Sequence, residues 1–152
     1  MGLFALLLIA LLPPGRAGEH PQDIDQTTLY ILFFRVTTPN ASSKSPSQGM
    51  YVEARANNMG VTASDVLAID TAANAFSLQD QNIAKEARDY YRSRVAAGMA
   101  AEPSHMRSLT ERRRAAAEAV IKDLRAKLSP SSFSAFQRFI SSKFRRSVEV
   151  MK

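Results

Sequence analysis

Cysteine is absent from this chain of 152 residues, histidine occurs twice and glycine six times. Without cysteine there is no disulfide bond, no thiolate metal ligand and no cysteine nucleophile. The glycines form no Gly-rich phosphate-binding loop, and the serines lie in neither a G-x-S-x-G motif nor an S-x-x-K motif with its supporting motifs. We therefore expect a protein that is not an enzyme and holds no cofactor.

The two histidines offer little support for a metal site. His20 lies near the start of the chain, whereas His105 ends Glu102-Pro103-Ser104-His105, which has E-x-x-H spacing. Carboxylate-bridged di-metal bundles need two such motifs on facing helices and two further glutamates. This chain has one copy, interrupted by proline, and we interpret its spacing as accidental.

Long apolar runs are also scarce, and the only one is the eleven-residue stretch Gly2–Leu12. As a helix it would be about 17 Å long, roughly half of a hydrocarbon core. Gly15 and Ala17 then stand at the −3 and −1 positions of a cleavage site before Gly18. We predict a signal peptide over residues 1–17 and export to the periplasm or the extracellular space. The segment before the apolar run lacks Lys and Arg, so an uncleaved membrane anchor is the alternative.

Cleavage there leaves 135 residues (152 − 17), with a polar, disordered start over residues 18–24 and one domain over residues 25–152. A domain of this size buries roughly two-thirds of its unfolded surface and needs no disulfides. Small exported animal domains often depend on disulfides, so a cysteine-free one favours a bacterial periplasm or cell surface.

The clearest helical pattern lies near the end of the chain. Ser108-Leu109-Thr110-Glu111 has capping-box form, and Ser129-Pro130 fits a turn that caps a second helix. Apolar residues recur at threes and fours in both segments. They are Leu109, Ala116, Ala117, Val120, Ile121, Leu124 and Leu128, then Phe133, Phe136, Ile140, Phe144, Val148 and Met151. This pattern predicts a helical hairpin over 108–151.

Weaker helical patterns precede it. A helix opening at Asp25–Thr28 would bury Leu29, Leu32, Phe33 and Val36, although its β-branched and aromatic content leaves a strand as the alternative. A loop over 37–49 leads to a short helix, Met50–Met59, ended by Gly60.

A further pair of helical stripes follows. The cap Thr62–Asp65 opens one stripe through Phe76, and another runs from Ile83 to Val95 with Ala87, Tyr90 and Tyr91 inward. Residues 77–80 between them predict a kink or a new cap, and residues 100–107 a linker. The chain as a whole predicts an all-α fold: a small helical bundle of two helical hairpins with one or two shorter N-terminal helices.

The net charge of +6 is unevenly placed. From Arg107 onward there are twelve Lys or Arg and four acids, giving +8, whereas residues 18–106 carry seven bases and ten acids, giving −3; Arg16 supplies the remaining +1. Two interpretations stay open: a solvated basic face partly paired with the acidic front half, or a binding surface for an anionic partner.

The arginine run Arg112–Arg114 stands out within this basic region. The pattern places it near the start of a helix, where cations oppose the helix dipole, and a broken local rule often marks a functional feature. Further bases flank the final aromatic stripe, which is either core or the apolar face of a helix that docks on a membrane or partner. The candidate contact residues are Arg112, Arg113, Arg114, Arg138, Lys143, Arg145 and Arg146.

The plan of signal peptide, cysteine-free helical hairpins and basic charge resembles small periplasmic proteins of the Spy and CpxP type. Where those have L-T-x-x-Q, this chain has Val61-Thr62-Ala63-Ser64-Asp65 and Leu128-Ser129-Pro130-Ser131-Ser132, with Asp65 and Ser132 in place of Gln. The resemblance covers the region from Val61 onward. It implies a helical cradle that binds unfolded clients or modulates envelope stress.

We therefore expect an exported helical binding or accessory protein, chaperone-like or associated with the envelope. Its partner would be a protein, such as an unfolded client, or an anionic envelope surface. The alternative is a peripheral protein bound to anionic membrane or cell-wall polymer through its basic C-terminal hairpin. Nucleic acid is not an expected partner, because an exported protein seldom meets it and no recognised motif is present.

Overall fold

In the computed structural model, residues 24–37 and 48–150 are described, and all regular elements among them are helical. The helices are α1 (Gln26–Thr37), α2 (Gln48–Met59), α3 (Ala63–Ala96), α4 (Pro103–Lys127), α5 (Pro130–Phe139) and α6 (Arg145–Val150), with a π-helical turn (Ile140–Phe144) between the last two. The predicted all-α bundle is confirmed, and α1 is a helix rather than a strand. The predicted signal peptide lies outside the described residues. Within them, no helix is both long and apolar enough to cross a bilayer.

Two predicted helix ends, at Gly60 and at Thr62, are present in detail. Gly60 ends α2 with a φ of 71°, and Val61 N donates to Ala56 O at 3.0 Å, which together form a Schellman-type cap. At the start of α3, Thr62 and Asp65 form the reciprocal capping box. The end of α2 and the start of α3 are therefore set by the few residues around each boundary.

Ser129 and Pro130 set the boundary between the last two long segments. The Ser129 hydroxyl accepts a hydrogen bond from Ser132 N at 3.1 Å, and Pro130 occupies the first turn of α5. Proline is favoured there because its missing N–H would have no intrahelical partner. The predicted turn is confirmed.

Two boundaries differ from the prediction. Residues 77–80 do not interrupt α3, which continues for 34 residues, about 51 Å of helix. None of these four residues is Gly or Pro, so nothing forces the backbone out of the helix. The helix α4 begins at Pro103 rather than Ser108, and residues 103–107 are helical instead of a linker. Proline at the first helical position provides the start that the Ser108 pattern does not.

The helices also pair differently from the prediction. Because α3 has no break, the long antiparallel hairpin is formed by α3 and α4, which make the most extensive helix–helix contact in the described chain. The helix α5 contacts α2 and α4, and the π-helical turn lies against α1. The last helical segment therefore crosses the shorter helices instead of lying back along α4 alone.

The main core contains a cluster of aromatic rings that centres on α1. Phe33 lies 5.3–6.0 Å, between ring centroids, from the rings of Phe34, Phe136, Phe139 and Phe144. Leu29, Tyr30, Phe33 and Phe34 are the buried residues of α1. The predicted inward position of Val36 is wrong, since that side chain is exposed.

A second, much smaller cluster lies farther along the α3–α4 hairpin. It contains the buried residues Ile83, Ala87 and Leu109, with Met106 packed against them. We call residues 81–112 the arm, and the remaining described residues the body. The ion pairs and ring contacts that the arm makes with described residues all lie inside the arm. The arm is thus a two-helix extension from the body.

Candidate binding surface

The arginine run Arg112–Arg114 lies in the third turn of α4, not in its first, because α4 starts at Pro103. At that depth the unpaired N–H groups of the helix start are no longer adjacent, so opposition to the helix dipole no longer explains the run. The three side chains point in different directions, and each has an intramolecular partner.

Arg113 belongs to a buried ion cluster with Asp80 and Arg35. Arg35 donates to both carboxylate oxygens of Asp80, at 2.7 Å from Nε and 3.0 Å from Nη2, and Arg113 Nε donates to Oδ1. Burial by itself raises the pKa of Asp80, but the hydrogen bonds and charges of Arg35 and Arg113 outweigh it and lower that pKa. The cluster joins α1, α3 and α4 where the arm meets the body, so Asp80 is not the helix cap that its sequence position suggested.

Arg112 and Arg114 form more exposed pairs. Arg112 Nη1 lies 2.8 Å from both oxygens of Glu86, which ties α4 to α3. Arg114 Nη2 donates to Asp25 Oδ1 at 2.9 Å, and Arg114 Nε lies 3.7 Å from Glu118. The Asp25 hydrogen bond raises the pKa of Arg114. The structure therefore assigns intramolecular partners to the whole run, and its contact with an external partner stays a prediction.

The four C-terminal bases do not form one patch with this run. Lys143 Nζ donates to Asn58 O at 2.9 Å, next to the end of α2, and Arg145 Nη2 donates to Ile24 O at 2.9 Å. Arg138 and Arg146 are exposed and form no ion pair with a described residue. Two of the four candidates thus hold the fold together and two face solvent.

The aromatic stripe beside these bases belongs to the core. Phe133, Phe136 and Ile140 are buried, and Phe139 and Phe144 pack partly buried against the same cluster. The interpretation of this stripe as core is confirmed.

The arm carries a different exposed surface. Arg88, Tyr91, Arg92 and Val95 follow at helical spacings of three and four on one side of α3. Tyr91 and Val95 are each 58% exposed, and Arg88 and Arg92 are exposed without an ion pair to a described residue. We call these four residues the arm face. Large apolar groups and unpaired cations here lie side by side in solvent.

The tip of the arm is ordered by polar contacts. Arg94 Nε donates to Ala100 O at 2.8 Å, and its guanidinium lies 3.2 Å from the Glu102 carboxylate. Tyr90 accepts a hydrogen bond from Glu102 N at 2.9 Å, and its ring lies 3.9 Å, centroid to centroid, from His105. The arm face is consequently held on a defined two-helix scaffold, including its end.

His105 takes part in this packing. Its Nε2 is buried without a hydrogen-bond partner, and Glu102 of the E-x-x-H spacing pairs with Arg94 instead. The part of the chain that the structure describes contains no group of three or more His, Asp or Glu side chains placed to hold a metal ion.

Sequence reasoning missed the arm face because it assigned Tyr91 and Val95 to an inward stripe. The buried residues of this part of α3 are Ile83 and Ala87, and only the shorter stripe that they begin faces α4. The useful signal was the pair Arg88 and Arg92, which share a helix side with Tyr91 and Val95 and so place that side in water.

Comparisons of this chain with protein-family models, with curated proteins and with solved structures find no match.

Proposed function

We propose that this protein is an exported, non-catalytic binding protein whose arm face contacts another protein. One observation carries the proposal: the arm face combines exposed Tyr91 and Val95 with Arg88 and Arg92, which have no ion-pair partner among the described residues. Tyrosine and arginine are enriched at the energetically dominant positions of protein interfaces. A partner would bury the apolar groups and neutralise the two cations together.

The chemistry of the arm face specifies the partner class. Arg88 and Arg92 lie four residues apart on the helix, close to the apolar groups of Tyr91 and Val95. This combination suits a partner segment that offers both carboxylates and apolar side chains. Such a segment occurs in an acidic unfolded client or on an acidic helix of an envelope protein. The cationic groups favour fast encounter with an acidic partner, and the apolar groups favour a long-lived complex.

Export is part of the proposal and rests on the sequence. The apolar run Gly2–Leu12 and the small residues Gly15 and Ala17 support a cleaved signal over residues 1–17. The measurement is N-terminal sequencing of the protein recovered from its host: a mature chain that begins at Gly18 is expected. Recovery of an uncleaved chain in the membrane fraction would instead favour an anchored protein.

The test of binding compares two sets of variants with the unchanged protein. The arm-face variant carries Arg88→Gln, Tyr91→Ser, Arg92→Gln and Val95→Ser. The control variant carries Leu67→Ser and Leu78→Ser, which are 57% and 66% exposed on the part of α3 that belongs to the body. The control removes a similar exposed apolar area and leaves the arm intact.

Suppression of aggregation is measured with an acidic client, reduced α-lactalbumin, and a basic client, reduced lysozyme. We expect the protein and its control variant to suppress aggregation of the acidic client at equimolar ratio, and the arm-face variant to lose this activity. Equal activity of the arm-face and control variants would contradict the proposal. So would equal suppression of the basic client, because it would show that the cations play no part.

A further experiment tests binding to an anionic membrane surface. Co-sedimentation with phosphatidylglycerol vesicles is measured at low and high salt, because exposed charges are screened beyond about 8 Å at physiological ionic strength. Salt-sensitive co-sedimentation that persists in the arm-face variant and is lost on Arg138→Gln with Arg146→Gln would favour the peripheral membrane function in place of the proposed one.

A further inference from the structure

A groove of about 310 Å³ lies on the body, where α1, α4 and α5 meet, well away from the arm. Most of the residues that line it are polar, and two are basic: Gln26, Thr27, Tyr30, Glu118, Ile121, Lys122, Arg125 and Gln137. This volume is at the lower end of the range for small-molecule sites. None of these residues belongs to the arm face.

The lining includes the buried hydroxyl of Tyr30, whose polar neighbours are two glutamine amides. Tyr30 is 2% exposed, and its hydroxyl makes no hydrogen bond of normal geometry. The amides of Gln26 and Gln137 lie close enough to lower the pKa of this hydroxyl, but neither forms a hydrogen bond of normal geometry with it. A buried donor without an acceptor destabilises the folded state, and an incoming acceptor removes that penalty. The two amides end flexible side chains, so they can turn aside for a ligand.

Two cations also line the groove. Arg125 lies over the ring of Phe133, with Cζ 5.0 Å from the centroid, so its guanidinium is held in place. Neither Arg125 nor Lys122 forms an ion pair with a described residue, whereas the one acid of the lining, Glu118, lies 3.7 Å from Arg114. With two cations and one carboxylate in its lining, the groove keeps a net positive charge.

We propose that this groove binds a small organic anion, a carboxylate or phosphate ester with an apolar substituent. Arg125 and Lys122 contact the anionic group, because a guanidinium and an ammonium both donate to its oxygens. The Tyr30 hydroxyl and the amides of Gln26 and Gln137 supply further donors. The side chain of Ile121 and the ring of Tyr30 form the apolar wall against the substituent.

The probes are phenyl phosphate and benzoate, with benzyl alcohol as the neutral control of similar shape. Binding is measured by calorimetry at constant ionic strength. We expect the unchanged protein to bind both anions and not the alcohol. Lys122→Gln with Arg125→Gln should weaken binding at least about 10-fold, since charged hydrogen-bond partners are the strong ones. Tyr30→Phe should weaken it about 5-fold while leaving the fold intact, because it removes one unsatisfied hydroxyl.

A charge-matched control separates the groove from general surface charge. Arg88→Gln with Arg92→Gln removes the same charge from the arm and should leave affinity for phenyl phosphate unchanged. Equal losses in both double variants would overturn the proposal, because binding would then follow net charge. No heat of binding with either anion up to about 10 mM, weaker than the range of specific ligands, would overturn it as well.

The anionic group could be presented by a free metabolite or by a lipid headgroup, and vesicles distinguish them. Competition of phosphatidic acid vesicles with phenyl phosphate, abolished by Lys122→Gln with Arg125→Gln, would assign the groove to a headgroup. Absence of competition, with phenyl phosphate binding intact, would assign it to a free anion.

Discussion

The body and the arm use the same two helices, α3 and α4, yet are held by different forces. In the body, aromatic rings from α1 and α5 close over α3, and Phe34, Phe76 and Phe136 are fully buried. In the arm only Ile83, Ala87 and Leu109 are buried, and pairs such as Arg112–Glu86 supply the rest. Stability within one protein is distributed unevenly, and parts that contact partners commonly come from the less stable end.

The difference in packing between the two halves of α3 explains why the arm face is exposed. A helix with neighbours on several sides must bury apolar groups on each of them, as the first half of α3 does against α1, α2 and α4. Beyond Asp80 the buried cluster of α3 contains residues of α3 and α4 alone, so a narrow apolar stripe on α3 is enough to form it. Apolar residues outside that stripe contribute little to the fold and are available for contact.

The largest effect is expected from core truncation in the body. Phe76→Ala removes a fully buried ring that packs 5.6 Å from Phe34, centroid to centroid. We expect a loss of about 3–5 kcal/mol in the free energy of unfolding, measured by urea denaturation. Leu109→Ala in the arm should cost nearer about 2 kcal/mol, because its thin surroundings collapse more easily.

Amide hydrogen exchange can show whether the body and the arm lose stability separately. After Phe76→Ala, amides of the whole body should exchange faster, whereas Leu109→Ala should accelerate exchange in the arm alone. Similar costs and similar exchange patterns for the two variants would show that body and arm unfold as one unit.

The next effect concerns the ion cluster at the boundary. Asp80→Asn keeps the shape of the side chain but leaves Arg113, which is 10% exposed, without a counter-charge. We expect a loss of about 3 kcal/mol, since breaking one partner of a buried pair strands the other charge. The control is Asp89→Asn in the arm, which breaks an exposed pair with Lys85 and should cost a few tenths of a kcal/mol, roughly as surface pairs do.

The same cluster gives a pH dependence. Its arginines hold the pKa of Asp80 below the ordinary value in the folded state. The unfolded chain therefore binds this proton more readily, and stability falls with acid. The contribution is complete above about pH 4, near the ordinary pKa of aspartate, and is lost as pH falls through the folded pKa. The stability difference between the unchanged protein and Asp80→Asn should accordingly narrow below about pH 4 in urea denaturation series. A difference that stays constant would contradict the assignment.

Local patterns predicted helix identity and several helix ends, but not the partners of the helices. The caps at Thr62, Ser129 and Gly60 depend on neighbouring residues alone, so sequence sufficed for them. The role of Asp80 depends on Arg35 and Arg113, which are distant along the chain, and no local spacing reveals such a cluster.

Sequence reasoning about the candidate site had the same limit. The run Arg112–Arg114 looked like a functional surface because Ser108 looked like a helix start. In the structure α4 begins at Pro103, and the three arginines lie on the sides of the helix that face Glu86, Asp80 and Asp25. Tyr91 and Val95 looked like core residues because the width of a helix's buried apolar stripe depends on how many helices pack against it. The sequence does not give that number.

A smaller effect separates body from arm at alkaline pH. Burial raises the pKa of Tyr30 to about 12. The folded state therefore retains the phenol proton more tightly than the unfolded chain, whose tyrosines titrate near pH 10. Ionising the buried phenol is unfavourable, so the free energy of unfolding falls by about 2–3 kcal/mol as pH rises from about 10 towards 12.

Tyr30→Phe provides the check, because phenylalanine does not titrate. Between about pH 10 and 12 the unchanged protein should lose stability relative to this variant, followed by circular dichroism in urea. The Tyr91→Phe variant is the control, since it removes an exposed tyrosine of the arm and leaves Tyr30 in place. Parallel curves for all three proteins would contradict the burial of the Tyr30 hydroxyl.

The smallest effect on stability is expected from the arm face itself, and this is what makes it a sharp test. Arg88→Gln, Tyr91→Ser, Arg92→Gln and Val95→Ser together should change the free energy of unfolding by about 1 kcal/mol, because exposed substitutions usually stay within about 0.5 kcal/mol in either direction and partly cancel. Leu109→Ala, in the same arm, should cost more and still suppress client aggregation at temperatures where the arm is folded. A stabilising role for the arm face predicts the reverse: a large loss of stability in the fourfold variant, and activity that falls with stability in both proteins. Loss of activity without loss of stability would therefore mean that Tyr91 and Val95 are exposed for a partner and not for the fold.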